Sequence, residues 1–135
     1  MDKTLNLDII TIDRVIFSGE VISVTAPGTL GEFQVLYNHA PLVSTLEIGR
    51  LKMVEPPDEE TVFAISGGIL EVRDNKIIVL SEAVEGQDEI DIMRAEKALK
   101  KAEGKIDSEI KVNREREILA LKRAKNRLKI ASKTI

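Results

Sequence analysis

The C-terminal third of the chain, residues 88–135, reads DEIDIMRAEKALKKAEGKIDSEIKVNREREILALKRAKNRLKIASKTI and carries two amphipathic helical patterns. In each pattern, apolar residues recur at alternating steps of three and four, which places them along one face of a helix. The first set is Ile92, Ala95, Leu99, Ala102 and Ile106, and the second is Leu121, Ala124, Leu128, Ala131 and Ile135. Gly104, followed by Asp107 and Ser108, predicts the end of the first helix and the start of the second. Two such helices joined by a short connection predict an antiparallel helical hairpin.

Four of the ten residues on the apolar face of this hairpin are alanine, so the two backbones can approach closely while each alanine buries little surface. Leu99, Leu121 and Leu128 contribute about 1.5–3 kcal/mol each when fully buried. An interface of this size is small. We therefore expect a hairpin that is able to open.

The preceding residues alternate between apolar and polar side chains, as is typical of half-buried strands. Leu5–Ile9 is the first such segment. Ser18-Gly19 predicts a turn between two further strands, and Gly49 separates two more. Gly67-Gly68 predicts a bulge or a close approach of two backbones. Asp74-Asn75 predicts the clearest hairpin in the chain, because both residues tolerate the positive φ that tight hairpin turns require.

Eight to ten short strands at this spacing predict an antiparallel β-sandwich or barrel, followed by the helical hairpin. The change from strand to helix patterns occurs in a hinge at residues 83–87. We therefore predict two domains, residues 1–87 built of strands and residues 88–135 built of helices.

The composition argues against several classes of protein. Aromatic residues make up 3% of the 135 residues and the net charge is −3, so neither stacking platforms nor an overall basic field favours nucleic acid as a partner. Cysteine is absent, which excludes disulfides and thiolate metal sites. The first residues lack the pattern of a signal peptide, and no run of about 18 apolar residues is present. We expect no direct membrane insertion.

Charge is distributed unevenly along the chain. Residues 1–87 carry 6 Lys and Arg against 14 Asp and Glu, a net charge of −8, whereas residues 105–135 carry 10 against 4, a net charge of +6. No acidic residue follows Glu117. This asymmetry predicts that the C-terminal helix meets an acidic surface or a polyanion, the alternative being a solvated helix face.

Residues for catalysis are missing from the sequence patterns. His39 is the only histidine and has no nucleophile motif beside it, so neither a catalytic triad nor a conventional metal site is predicted. The segment 28–31, Gly-Thr-Leu-Gly, lacks the Gly-Lys-Ser/Thr ending of a phosphate-binding loop and predicts a turn. Paired carboxylates such as Glu59-Glu60 lie in surface-like runs. We conclude that the chain is not an enzyme.

Three motifs in order carry a resemblance to a known family. They are APGTLGE at 26–32, NHAPLV at 38–43 and SGGILEV at 66–72. Together they resemble the epsilon subunit of the bacterial F-type ATP synthase, over essentially the whole chain. The resemblance implies a β-sandwich rotor-binding domain at residues 1–87 and a regulatory α-helical hairpin at residues 88–135.

The resemblance also implies partners and a location. It implies a non-catalytic subunit of the central stalk, or rotor, that contacts the gamma subunit and the c-ring, with Glu32 and His39 as rotor contacts. Such a subunit couples proton or sodium transport to ATP synthesis at the cytoplasmic face of the cell membrane, as a peripheral component. Its helices extend toward the catalytic beta subunits, with alpha as a further contact, and inhibit ATP hydrolysis.

Some members of the family bind regulatory ATP on the folded hairpin, although no cofactor or metal is required. The segment 90–95, Ile-Asp-Ile-Met-Arg-Ala, matches their motif. The residues implied as the ATP site are Glu85, Asp91, Arg94, Arg123 and Arg127. A further family arginine has Lys100 or Lys101 as its counterpart, which offers a point charge in place of a planar fork.

The second helix carries a basic face that the resemblance implies is inhibitory. At about 100° per residue from Leu121, Arg116, Arg123 and Arg127 fall near 220°, 200° and 240°, which predicts that all three lie opposite the apolar face. The same arginines would serve ATP in the hairpin and the catalytic subunits in the extended state. The alternative is a face that only confers solubility.

From the residues alone, the alternative prediction is a β-sandwich protein-interaction or ligand-binding module with a basic helical arm. The low aromatic count disfavours a ligand pocket. A nucleic-acid-binding module with a basic helix is the third alternative.

Overall fold

The computed structural model describes residues 3–106 and 114–132, which form eight strands, one 3₁₀ turn and two helices. The strands are β1 (Leu5–Ile10), β2 (Val15–Val21), β3 (Ser23–Gly28), β4 (Gly31–Leu36), β5 (Leu42–Glu55), β6 (Glu59–Arg73), β7 (Lys76–Leu80) and β8 (Val84–Gly86). The 3₁₀ turn is Gln87–Glu89, and the helices are α1 (Ile92–Ile106) and α2 (Arg114–Ala131). The predicted β-sandwich followed by two helices is confirmed.

Two long strands connect the layers of the sandwich. The strand order is β2-β1-β7-β6-β5-β3-β4, with β8 paired to β6. β5 and β6 pair without a register shift from Leu42↔Val72 to Glu55↔Glu59. The first half of β6 also pairs with β8, and its second half pairs with β7. The β5–β6 pair therefore contributes to both layers.

The core follows from the two-residue period of the strands. Leu5, Leu7 and Ile9 of β1 are buried, while Asn6 between them is exposed. The same alternation buries Ile77 and Val79 of β7, and the inward residues of the strands form one hydrophobic cluster. Each large side chain in it contributes about 1.5–3 kcal/mol.

The corner of β6 depends on Gly67-Gly68, where φ is 81° and 137°. A Cβ atom on Gly68 would lie 2.0 Å from the carbonyl oxygen of Leu80. The hydroxyl of buried Ser81 donates to the Gly67 carbonyl at 2.6 Å. The predicted close approach of two backbones is confirmed, and the β5–β6 register contains no bulge at this point.

The predicted hairpin at Asp74-Asn75 is confirmed. Arg73 and Lys76 are paired, and the two turn residues have φ of 50° and 59°. Positive φ at both central positions is the conformation whose twist matches that of the flanking strands.

Three predictions about the strands are wrong. Ser18-Gly19 is not a turn, because β2 continues through it and the Ser18 hydroxyl donates to Asp8 of β1 at 2.6 Å. Gly49 does not separate two strands, since β5 runs through it. The sheet is not wholly antiparallel, because β1 and β7 pair in parallel.

The helices differ from the prediction in register and length. α1 continues through Gly104, so that residue does not end it, and Asp107 and Ser108 lie outside the described residues. Ile92 is 49% exposed and does not belong to the buried face, whereas Ala95 and Ala102 do. The placement of the Ile106 side chain and of Ile135 also lies outside what the structure describes.

The chain divides into two compact units, Met1–Gly86 and Gln87–Ile135. Unit 1 contains all eight strands, and unit 2 contains the 3₁₀ turn and both helices. That each unit folds and acts as a domain, with a boundary near residue 87, stays a prediction.

We expect Gly68→Ala to destabilise unit 1 by at least about 3 kcal/mol, because it adds both backbone strain and a steric overlap. Gly31→Ala is the matched control, since Gly31 has φ of 128° but no atom within 4 Å of its added Cβ. Urea unfolding monitored by the fluorescence of Tyr37, the only tyrosine, measures both variants. Equal losses in the two variants would contradict the role assigned to the Leu80 contact.

Candidate functional site

The start of α1 is built by Asp91. Its side-chain Oδ1 accepts the backbone N–H of Arg94 at 3.0 Å, and its carbonyl accepts the N–H of Ala95 at 2.9 Å. This is the geometry of an N-cap, in which a short acidic side chain accepts a hydrogen bond from a free N–H group and its negative charge interacts favourably with the helix dipole. Asp91 and Arg94 are therefore neighbours, and Asp91 has a structural role in the absence of any ligand.

The end of α2 lies beside the start of unit 2. The Gln87 side-chain amide donates to the carbonyl of Ile130 at 2.7 Å, which satisfies one of the carbonyls left free at a helix C-terminus. Because Gln87 precedes α1, this bond fixes the two helices as antiparallel. Ile90 and Ile130 are both buried. The sequence pattern missed these two isoleucines, because each is offset from the three-and-four spacing.

The three arginines of the predicted basic face of α2 differ in exposure, and that they act as one face stays a prediction. Arg116 is exposed, but Arg123 and Arg127 are half-buried. Among the described side chains of α2, Ala124 and Ile130 are buried, whereas Ala120, Leu121, Arg127, Leu128 and Ala131 are half-buried. Because leucines, alanines and Arg127 are all half-buried around Ala124, the covered face of α2 is broader than the predicted row that begins at Leu121.

Lysines occupy the exposed face of α2 instead. Lys122, Lys125 and Lys129 are exposed at steps of three and four, and Ile118 and Leu119 beside them are 37% and 39% exposed. The positive charge of the helix is thus divided between an outer lysine row and inner arginines.

Both helices carry cationic side chains outside their buried alanines. Lys101 is seven residues after Arg94, which places the two about 20° apart around α1, whereas Lys100 falls on another side. Arg123 and Arg127 are one turn apart on α2. Guanidinium and ammonium groups are donors that bind phosphates. Glu85 belongs to β8 in unit 1, where its backbone pairs with Ala64.

Glu32 and His39 lie together on the surface of unit 1. Both line an open depression of about 560 Å³, which Leu30 and Val43 also line. Leu30, at the tip of the two-residue turn between β3 and β4, is 104% exposed. Glu32 pairs weakly with Arg50 at 4.0 Å. The segment 28–31 is a turn, as predicted.

The loop that carries His39 has an ordered backbone. His39 N–H donates to Leu36 at 3.1 Å, and its ring Nδ1 lies 2.7 Å from the carbonyl oxygen of Ala40. The imidazole is half-buried. These contacts orient the ring at the edge of the depression.

An apolar row crosses the outer face of the sheet. Residues paired side by side across four strands are Val15, Ile10, Leu80 and Ile69. Val15 is 58%, Leu80 49% and Ile69 46% exposed. Facing residues of paired strands point to the same side of a sheet, so they form one surface. The sequence motifs did not reveal this surface. Apolar residues at outward positions of the strand alternation are the pattern that indicates it.

Within residues 3–106 and 114–132, no group of three or more metal-binding side chains is present. None of the described helices combines the length and the apolar character that crossing a membrane requires.

Family models match both units. The model described as the beta-sandwich domain of the ATP synthase Delta/Epsilon chain matches residues 4–87, and the model described as the long alpha-helix domain of that chain matches residues 88–132.

Individual proteins are similar over the same length. The ATP synthase epsilon chain of Desulforamulus reducens is 42% identical over 134 residues, which cover 97% of this chain and 99% of that protein. The ATP synthase epsilon chain of Dehalococcoides mccartyi strain BAV1 is 44% identical over 131 residues, covering 96% and 93%.

Solved structures share the fold. A chain in the cryo-EM structure of the Euglena gracilis mitochondrial ATP synthase, OSCP/F1/c-ring, matches with a TM-score of 0.83 and 25% identity, covering 92% of this chain and 79% of that one. A chain of the Tetrahymena thermophila mitochondrial ATP synthase central stalk and c-ring matches with a TM-score of 0.55 at 14% identity, covering 96% of each.

Proposed function

The chain belongs to the ATP synthase delta/epsilon chain family as an epsilon subunit of the central stalk, and on this premise we propose that unit 1 docks on the rotor while unit 2 regulates ATP hydrolysis. The subunit is an accessory one and not an enzyme. The observation that carries the proposal is the apolar row on the outer face of an otherwise closed sandwich. Exposed apolar surface of this kind, contiguous across four strands, is typical of protein interfaces.

The gamma subunit is the partner that we assign to the apolar row. Val15, Leu80 and Ile69 leave roughly half of each side chain accessible, so docking would remove this surface from water. The side chains stand on paired strands of the core sheet, so their arrangement is fixed before binding. A preformed surface of this kind loses little conformational entropy on binding.

The c-ring is the partner that we assign to the depression containing Glu32 and His39. Leu30 projects from a tight turn at its edge and provides an apolar contact beside these two polar groups. Through these two surfaces the subunit would join the shaft to the ring. It would thereby couple proton or sodium transport to ATP synthesis, as a peripheral component at the cytoplasmic face of the membrane.

Regulatory ATP is the ligand that we assign to unit 2. Arg94 and Lys101 on α1, with Arg123 and Arg127 on α2, supply the cations for its phosphates, and Asp91 is the acidic ligand. Glu85, which belongs to unit 1, stays a prediction from the resemblance. Because the arginines come from both helices, ATP would favour the closed hairpin over any arrangement that separates α1 from α2. Only such a difference in affinity can shift the equilibrium.

Inhibition is assigned to the extended arrangement. In the hairpin, Arg123 and Arg127 are half-buried, so their availability to an acidic partner is reduced, while Arg116 remains exposed. Opening would release the two arginines toward acidic surfaces of the catalytic beta subunits, with alpha as a further contact. The 18 residues of α2 give a reach of about 27 Å.

A ligand-binding module is less well supported. The depression in unit 1 is open, and several of its polar groups already have partners, including Thr29 with Thr45 at 2.9 Å and Glu32 with Arg50. Sites for small molecules are usually enclosed and keep polar groups available for the ligand.

We expect Leu80→Asp in the full chain to weaken binding to gamma at least tenfold, because a carboxylate would lose its water on docking. Met93→Asp is the control, since Met93 is 71% exposed but lies on α1. The fragment 1–87 should bind gamma as the full chain does. Co-purification and surface-immobilised binding measure all three. Wild-type affinity of a folded Leu80→Asp variant would contradict the assignment of the apolar row.

We expect the change of Arg116, Arg123 and Arg127 to Gln to reduce inhibition of ATP hydrolysis by the reconstituted catalytic head. Each lost charge-assisted contact is worth about 1.5–3 kcal/mol. The matched control changes Lys122, Lys125 and Lys129 to Gln, which removes the same charge from the outer row. Hydrolysis rates at low and moderate salt measure both variants.

Single substitutions separate the role of ATP binding from that of net charge. In calorimetric titration of the isolated chain, Arg127→Gln and Arg94→Gln should each weaken ATP binding at least tenfold, whereas Lys125→Gln should not. Equal inhibition by the two triple variants would show that only bulk charge matters. Unchanged ATP affinity in both arginine variants would refute the site.

A further inference from the structure

A pair of asparagines connects two turns that are distant in sequence. The backbone N–H of Asn38 donates to Oδ1 of Asn75 at 2.6 Å, and Nδ2 of Asn75 donates to Oδ1 of Asn38 at 3.1 Å. Asn75 lies at the tip of the β6–β7 hairpin. Asn38 lies in the loop of residues 37–41, here called the His39 loop. The two residues are 37 positions apart.

Asn75 is also tied to the sheet. Its backbone carbonyl accepts the N–H of Asn6 of β1 at 3.0 Å, and the flanking residues Arg73 and Lys76 are paired across the hairpin. The side chain that reaches the His39 loop therefore projects from a fixed backbone. One bond is donated by the Asn38 backbone and the other by the Asn75 side-chain amide. Together they define the orientation of the loop as well as its distance from the hairpin.

This contact needs the asparagine side chains. The backbone conformation alone would not require asparagine at either position. Asn38 and Asn75 have φ of 62° and 59°, a region that glycine adopts without cost. Glycine would satisfy both turns. Asparagine at both positions adds the reciprocal hydrogen bonds.

We propose that Asn75 is a positioning residue for rotor binding, which holds the His39 loop in its docking conformation through Asn38. The inference rests on the proposed function of the surface containing Glu32 and His39. Asn75 orders a loop at the edge of the binding surface before the partner arrives. Such preorganisation raises affinity because the loop does not have to be ordered on binding.

The test uses Asn75→Gly in the full chain. Asp-Gly is a preferred sequence for this hairpin, so the turn is retained while the side chain is lost. Asp74→Gly is the matched control, because it changes the same turn without removing the Asn75 amide. Asn75→Asp is the rescue variant, because its carboxylate still accepts the Asn38 N–H.

Hydrogen exchange of the isolated chain measures the positioning without any partner. We expect the Asn38 and His39 amides to exchange at least tenfold faster in Asn75→Gly, and at wild-type rates in Asp74→Gly and Asn75→Asp. Asn38→Gly combined with Asn75→Gly should show no further change at the His39 amide. Unchanged exchange in Asn75→Gly would overturn the proposal.

Binding to purified gamma assembled with the c-ring measures the consequence. Asn75→Gly should bind at least threefold more weakly, with a slower association rate, and Asn75→Asp should restore binding. Faster exchange with wild-type binding would overturn the proposal if His39→Ala weakens binding. If neither Glu32→Ala nor His39→Ala affects binding, the rotor contact itself is wrong and the positioning proposal falls with it, whatever the exchange rates show.

Discussion

The long, in-register pairing of β5 with β6 is the constraint on which the rest of unit 1 depends. These strands contribute to both layers, and β3, β7 and β8 are held by one or the other of them. The bend in β6 requires Gly67-Gly68, since a side chain at Gly68 would overlap the Leu80 carbonyl. The same strand then leads into the hairpin whose tip carries Asn75. One pairing therefore fixes the apolar row and the His39 loop on one rigid body.

Local patterns were sufficient for much of this fold. The Asp74-Asn75 hairpin followed from residues that accept positive φ, and the buried faces of β1 and β7 followed from a strict two-residue alternation. The patterns failed where pairing partners decide the outcome. Ser18-Gly19 resembles a turn, but the neighbouring strand β1 provides Asp8 as a partner for Ser18 and keeps the chain extended. Gly49 is likewise kept in the middle of β5 by its pairing with Ile65 of β6.

The helices show a different limit of sequence reasoning. The periodicity correctly predicted two helices and a face containing Ala95, Ala102 and Ala124, but not which side chains border it. Alanines and the aliphatic stem of an arginine can cover a helix interface as well as a leucine does. The apolar pattern of α2 therefore did not determine which residues lie at the centre of its interface. Ile92 was assigned inward and is exposed, while Arg127 was assigned outward and is half-buried. A candidate phosphate site was predictable from motif and spacing, yet the division between inner arginines and outer lysines required the packed structure.

The two units have different physical tasks in this account. Unit 1 has a continuous core and presents preformed surfaces, whereas unit 2 has an alanine-rich interface that gains little from burial. A shift of the hairpin from 1% to 99% closed requires about 5.5 kcal/mol of differential binding. Two or three charge-assisted bonds to phosphate, at about 1.5–3 kcal/mol each, supply a free energy of this size. In the proposed regulation, the small interface makes control by a nucleotide feasible.

The distance between α1 and α2 reports directly whether the hairpin opens under nucleotide control. The chain contains no cysteine, so single cysteines at exposed Glu96 of α1 and Lys125 of α2 accept a donor and an acceptor dye without background labelling. Energy transfer is then measured in the assembled ATP synthase as the ATP concentration is raised. We expect energy transfer to rise with ATP concentration as the distance between the dyes shortens, and Arg127→Gln to shift this rise to higher ATP concentration. A distance that is the same at all ATP concentrations, in the wild type and in Arg127→Gln, would contradict this expectation.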